Sequence, residues 1–238
     1  MMDCKQILEK ARNLRLQYHP LAQFPESTAP ERLAEYENNL SKIVGWIGDV
    51  EGKTFLDVGC FYGYYCFKLA DMGAICTGVD YIEDRIELCN CLKGESPHLE
   101  FVYNDIGSYL EAFPDHKFDY VIMLKVFQHI AAKQKEYGWW IFNELARRSK
   151  AMFLQMGITK RPWDGMGDRT FCKTKEDIPN LILENSSYNR FEKLAHYTGN
   201  PLFKRADEEP PHLYVFWKYR EDKSDTLTQR LYEGGLLR

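Results

Sequence analysis

The 238-residue chain has no apolar run that approaches membrane-spanning length, no internal repeat and no low-complexity segment. It also lacks an excess of basic charge. Its 31 Lys and Arg stand against 35 Asp and Glu, a formal net charge of -4, which removes the large basic surface of a protein that grips nucleic acid through phosphates and leaves room only for a small basic pocket. A disulfide framework is missing too: the seven cysteines fall inside predicted strands and helices, and no leader is recognised before them. The expectation is a cytoplasmic protein with reduced thiols. Cys89 and Cys91 lie two apart on a predicted helix, where they do not face each other, so they read as core thiols and no metal site is expected. What the chain does have is 45% hydrophobic residues, enough to bury the core of one α/β domain with some extra elements.

The first fifty residues read as helical and amphipathic, with "HPLAQFP" as a proline-punctuated loop. Thr28-Ala29-Pro30-Glu31 fits a capping box that opens a helix through Val44, with Leu33, Tyr36, Leu40 and Ile43 on one face. Such a helix is either a lid over a pocket or a flank that covers a sheet face. From Lys53 strands and helices alternate: "TFLDVG", "AICTGVD", "LEFVYND", "FDYVIML" and "AMFLQMG" as strands, with "YYCFKLADMG", "IEDRIELCNCLKG", a short helix near "SYLEAF", and "QKEYGWWIFNELARRS" between them. This order implies a doubly wound, mostly parallel sheet with right-handed crossovers. A helix near "IPNLILENS" and two late strands, "FEKLAHYT" and "HLYVFWKY", follow. The expected divisions are 1–50 as helical cover, 51–220 as the main domain and 221–238 as a tail.

Ligands of such sheets bind outside the carboxyl ends of the strands. Strand one ends in Asp57-Val58-Gly59-Cys60-Phe61-Tyr62-Gly63, strand two in Asp80, strand three in Asn104-Asp105-Ile106, and strand four in Leu124-Lys125-Val126-Phe127-Gln128-His129. Asp80, about twenty residues past the turn, is where an acid takes ribose hydroxyls, so NAD and other adenosine ligands start equal. Asp57 separates them: a carboxylate before the glycine turn suits a ligand with a positive group and repels a pyrophosphate. The turn is also not the compact Gly-x-Gly-x-x-Gly of a dehydrogenase. Asp105 can accept from an exocyclic amine such as adenine N6, with Ile106 and Tyr81 as apolar faces for the ring. An adenosine with a cationic amino-acid tail fits all three acids.

"FLDVGCFYGYY", "TGVDYIEDRI", "FVYNDI" and "FDYVIMLKVFQHI", in that order and spacing, resemble the four motifs of class I S-adenosylmethionine-dependent methyltransferases over roughly residues 53–157. The resemblance implies a Rossmann-like seven-stranded sheet whose last two strands form an antiparallel hairpin. It implies S-adenosylmethionine as cofactor, with Gly59 and Gly63 near its methionine part, Asp80 on the ribose, Asp105 at the adenine and Leu124 in the same site. The family commonly has glycine or a small residue at position 61; Phe61 must turn aside or shape the pocket. Methyl transfer to an oxygen needs a base, and His129 just past strand four is the candidate, the alternative being that it orients the loop or the acceptor. His196 and His212 read as structural hairpin residues, and His19, His98 and His116 as loop residues far from the strand ends. Gln128 and, after strand five, Arg161, Trp163 and Asp164 are the candidate acceptor contacts. The spacing is similar to methyltransferase domains acting on surface polysaccharides and to tRNA wobble-uridine enzymes; the charge favours a saccharide or other small acceptor over RNA. An inactive methyltransferase-like binding module is the remaining alternative.

Overall fold

The computed structural model describes residues 19–156, 177–195 and 212–218. Its core is a seven-stranded sheet, β1 (Thr54–Val58), β2 (Ile75–Asp80), β3 (Leu99–Tyr103), β4 (Phe118–Leu124), β5 (Ser149–Gln155), β6 (Arg190–Ala195) and β7 (Leu213–Trp217), in the order β3-β2-β1-β4-β5-β7-β6. Neighbours from β3 to β5 are parallel, and β7 runs antiparallel to both β5 and β6. The strand order reverses between β1 and β4, so their carboxyl ends diverge and open the crevice where this architecture binds ligands.

The helices are α1 (Pro30–Ile47), α2 (Tyr64–Ala70), α3 (Glu83–Lys93), α4 (Ile106–Ala112), α5 (Phe127–Lys133), α6 (Lys135–Arg148) and α7 (Asp177–Asn185). Consecutive strand residues feed opposite faces of the sheet, as a period of two requires. Phe55, Ile122, Phe153 and Val215 pack with α1 and α2, whereas Leu56, Val121, Met152 and Phe216 pack with the helices of the other layer.

Two boundaries differ from the sequence reading. The capping box does not form: Ala29 is the N-cap without a side-chain bond, and the buried Thr28 Oγ1 has no hydrogen-bond partner. Pro30 explains this, since its fixed φ starts the helix and leaves one fewer N–H to cap. Helix α1 also runs past Val44, because Trp46 docks on the sheet, donating Nε1 to Glu192 Oε2 at 3.1 Å and meeting the rings of Phe153 and Trp217 at 5.7 and 5.6 Å. The segment after β4 forms a helix of its own, α5, held to α6 where a Cβ on Gly138 would lie 2.7 Å from that of Ala131.

Cys60, Cys66, Cys76 and Cys89 are free and buried. Cys91 is not the core thiol expected; it is disulfide-bonded, with its partner outside the described residues. The tail 221–238 and His196 also lie outside them.

Phe127 is fully buried at the α5–α6 joint, 5.0 Å from the Trp139 ring and 5.2 Å from Phe142. Phe127→Ala is expected to cost about 3–5 kcal/mol, read as a lower urea midpoint at unchanged slope.

Candidate active site

The turn after β1 is built from left-handed backbone. Gly59, Phe61 and Gly63 have φ of 68°, 54° and 69°, and the Gly59 and Cys60 N–H groups both donate to Val79 O on β2, at 2.8 and 3.2 Å. A Cβ on Gly59 would stand 2.7 Å from Val126 Cγ2, and one on Gly63 2.7 Å from the Phe101 ring. Both glycines are therefore demanded by backbone and packing, with Gly63 set against Phe101 and Phe67.

Phe61 pays for its uncommon φ with contacts on every side. Its N–H donates to Asp80 Oδ2 at 3.0 Å, the His19 ring stacks 3.7 Å from its centroid, and the Arg85 guanidinium sits 3.6 Å from it. Two groups this close to one ring centre occupy opposite faces. The side chain turns toward α3 and the N-terminal segment and forms one wall of the pocket. Asp80 is buried and accepts from the Phe61 and Ile82 N–H groups, both at 3.0 Å, with Arg85 Nη1 at 3.4 Å from each carboxylate oxygen. Asp105 caps α4, accepting from Ser108 N–H at 3.1 Å and from Tyr137 Oη at 3.4 Å. Desolvation works against its charge, but these hydrogen bonds win and hold its carboxyl below the usual range.

Asp57 faces the opposite situation. It is buried, with the Cys66 thiol 3.7 Å away as a weak donor. Burial, helped by the charge of Asp80 and opposed by the Cys66 contact, pushes its pKa up to about 7.

A concave site is enclosed by Asp57, Gly59 and Phe61 from the turn, Tyr64 and Tyr65 from α2, Leu124 and Lys125 from the end of β4, Gln155 from β5, and His19, Glu35, Tyr36 and Asn39 from the N-terminal region. The Glu35 carboxylate is buried, bonded to Lys125 Nζ on one oxygen and to Arg32 Nη1 at 2.9 Å on the other. Lys125 has a φ of 62°. His19 hydrogen-bonds Tyr36 Oη, and burial, with the charges of Lys125, Arg85 and Arg32, lowers its pKa to about 3, so its ring is neutral. Asn39 Oδ1 and Tyr64 Oη, both in this wall, are buried without a hydrogen-bond partner. Orphaned polar atoms and a carboxylate with one weak donor suit a ligand that brings donors and positive charge. The residues present therefore fit the amino-acid tail of S-adenosylmethionine.

Of the residues singled out from sequence, Asp57, Gly59, Phe61 and Leu124 share this wall. Asp80, exposed Tyr81, Asp105 and buried Ile106 lie along the adjoining ends of β2 and β3. Gln128 is buried and donates Nε2 to Lys125 O at 2.9 Å, bracing the end of β4. His129 is exposed on α5 and does not line the pocket. Arg161, Trp163 and Asp164 lie outside the described residues.

His19 corrects an expectation: it belongs to the pocket wall and is not remote from the strand ends, because its ring stacks on Phe61. Glu35 and Asn39 were not anticipated, and Lys125 was named only within the end of strand four, without a role. A signal for two of them existed, since Arg32, Glu35, Tyr36 and Asn39 follow helical spacing along the face that carries Leu40 and Ile43, and buried polar residues on an apolar stripe mark a site.

Known proteins resemble this chain in sequence and in fold. Residues 56–150 match the model of a methyltransferase domain family. The chain is 29% identical over 161 residues to the O-antigen chain terminator bifunctional methyltransferase/kinase WbdD of Escherichia coli, an alignment covering 66% of this chain and 21% of that protein. It thus spans about a fifth of the length of the first curated relatives it matches. It is 29% identical over 172 residues to a ubiquinone biosynthesis O-methyltransferase of Glaesserella parasuis, covering 64% and 72% of the two chains. A WbdD crystal structure superposes with a TM-score of 0.65 at 21% identity, over 92% of this chain and 47% of that one. Magnesium protoporphyrin IX methyltransferase of Synechocystis, solved with bound S-adenosylmethionine, superposes at 0.57 and 16% identity, over 92% and 99%. Residues 56–150 thus match a methyltransferase domain, and the described sheet has the fold of solved methyltransferases.

Because the folded protein keeps the Asp57 proton up to about pH 7 while the unfolded chain loses it in the ordinary carboxylate range, Asp57 lowers stability progressively as pH rises through that window. Relative to wild type, Asp57→Asn is expected to gain about 2–3 kcal/mol between about pH 5 and pH 8 in urea titrations. A constant difference between the two proteins would contradict the burial argument.

Proposed function

We propose that the chain is a class I methyltransferase that transfers the methyl group of S-adenosylmethionine to an oxygen, a sugar hydroxyl of a glycan or glycoconjugate. The observation that carries the reading is the meeting of buried Asp57 with the orphaned Asn39 Oδ1 and Tyr64 Oη at the glycine turn. An O-antigen chain terminator and O-methyltransferases among the relatives support oxygen as the acceptor atom and a saccharide as its carrier. Location in the cytoplasm is part of the reading: four of the five described cysteines are buried free thiols, with the disulfide-bonded Cys91 the exception, and among the described residues no helix is long and apolar enough to cross a membrane.

When bound, the cofactor supplies a sulfonium methyl already activated toward attack, so the protein's work is alignment, exclusion of water and removal of a proton. Asp57 holds the ammonium of the amino-acid tail, which draws its own proton away and keeps it charged. Asp80 accepts from the ribose hydroxyls beside its two backbone donors, and Asp105 and Ile106 receive the adenine. Tyr36, Tyr64 and Tyr65, packed edge and face at 5.2 to 5.5 Å, wall the pocket against water. His129, exposed on α5, orients the acceptor from outside the wall.

Isothermal titration tests this directly: micromolar binding of S-adenosylmethionine with none of NAD is expected. Asp80→Asn removes a charged acceptor while keeping the shape, and should weaken the cofactor about tenfold or more; an unchanged Kd removes Asp80 from the site. His129→Ala should lower kcat/KM for the acceptor and leave cofactor affinity intact, with sugars and tRNA both in the acceptor screen.

A further inference from the structure

Methyl transfer to a hydroxyl releases a proton, and among the described residues the pocket wall offers a basic group that the sequence reading passed over. We propose that the Lys125 amine, positioned by Glu35, takes the acceptor's hydroxyl proton. The proposal rests on the reading of the pocket as a methyl-transfer site.

The backbone is the first argument. Lys125 is a non-glycine residue at φ 62°, a conformation that costs roughly 1–3 kcal/mol and persists only where surroundings over-determine it. Here they do: its N–H donates to Gln155 O at 2.6 Å and its C=O accepts from Gln128 Nε2 at 2.9 Å. The left-handed kink ends β4 and places Lys125 in the wall beside Gly59, across from α1. Strain held by its neighbours at a strand's carboxyl end, with a functional side chain in the pocket, is the pattern of a residue kept for chemistry.

Charge is the second argument. Glu35 and Arg32 face Lys125 from α1, His19 from the N-terminal segment and Asp57 from β1. His19 is neutral, and Lys125 and Arg32 share the Glu35 carboxylate. Burial acts most strongly on Lys125 and lowers its pKa, Arg32 pushes the same way, and Glu35 opposes both without reversing the direction. A cationic sulfonium in the same pocket adds to the repulsion and favours the neutral amine further. Both oxygens of Glu35 are engaged, by Arg32 and by Lys125 itself, so Glu35 positions the amine and its charge stabilises the ammonium once formed.

The step balances. The acceptor oxygen forms a bond to the methyl carbon as the C–S bond breaks and sulfur keeps that electron pair, while the hydroxyl proton moves to Nζ. The cofactor loses its positive charge as Lys125 gains one, so the pocket's net charge is unchanged.

The test needs no acceptor. Competitive labelling with trace acetic anhydride should find Lys125 titrating below the ordinary lysine value of about 10.4, and lower with S-adenosylmethionine bound than with S-adenosylhomocysteine, which has the same tail and no sulfonium charge. By linkage, the preference for the methylated cofactor should grow about threefold or more as pH rises through that titration. Asp57 affects both ligands through their common ammonium, so the ratio isolates Lys125, and Lys125→Met should make it flat. With an acceptor in hand, Lys125→Arg, which keeps the charge but cannot give up its proton, should lose about 10²–10⁴ in turnover at saturating cofactor while binding S-adenosylhomocysteine as the wild type does. Ordinary titration of Lys125, a pH-independent ratio in the wild type, or full turnover by Lys125→Arg would each overturn the assignment. Failure of the wild type to bind S-adenosylmethionine at all strikes the reading of the pocket instead.

Discussion

Three residues of left-handed backbone within five positions, Gly59, Phe61 and Gly63, are the constraint around which the carboxyl edge of this sheet is arranged. The turn must leave β1, hook both its first N–H groups onto Val79 O, and present α2 at an angle that lets Phe101 and Phe67 close over Gly63. The close approach of Val126 to Gly59 brings the end of β4 against the same turn. The crevice between diverging β1 and β4 is thereby narrowed to a pocket.

Buried carboxylates then divide the pocket by environment. Asp80 has two backbone donors and a guanidinium; Asp57 has one thiol; Glu35 has two cations. Burial without strong donors pushes Asp57, the poorest in partners, up to about 7. A cation entering beside Asp57 repairs a deficit, whereas one entering beside Lys125 creates one. The proposed chemistry uses that asymmetry: the ammonium belongs with Asp57 and the proton with Lys125.

Helix α1 shows how cover and site merge. Its C-terminal half is a flank, with Ile43, Ile47 and Trp46 on the sheet, and its N-terminal half supplies Arg32, Glu35, Tyr36 and Asn39 to the pocket. The two readings of this helix, lid or flank, describe different turns of the same element. One 18-residue helix is about 27 Å long, enough to reach from the β6–β7 hairpin to the glycine turn.

The sequence by itself determined the alternation of strands and helices, the glycine turn and the acids at the ends of β1, β2 and β3, because these are local patterns: period two, period 3.6, a positive φ that favours glycine, and a fixed offset from turn to ribose acid. It also carried the antiparallel hairpin, through the resemblance. Only the tertiary structure decided that His19 stacks on Phe61, that Glu35 reaches Lys125 across 90 positions, and that Lys125 lines the wall while the exposed His129 does not. Those facts depend on contacts between distant segments and on a single backbone dihedral at the end of β4. Residue spacing along a chain fixes which face of its own element a side chain takes; what that face meets is settled by how the elements pack.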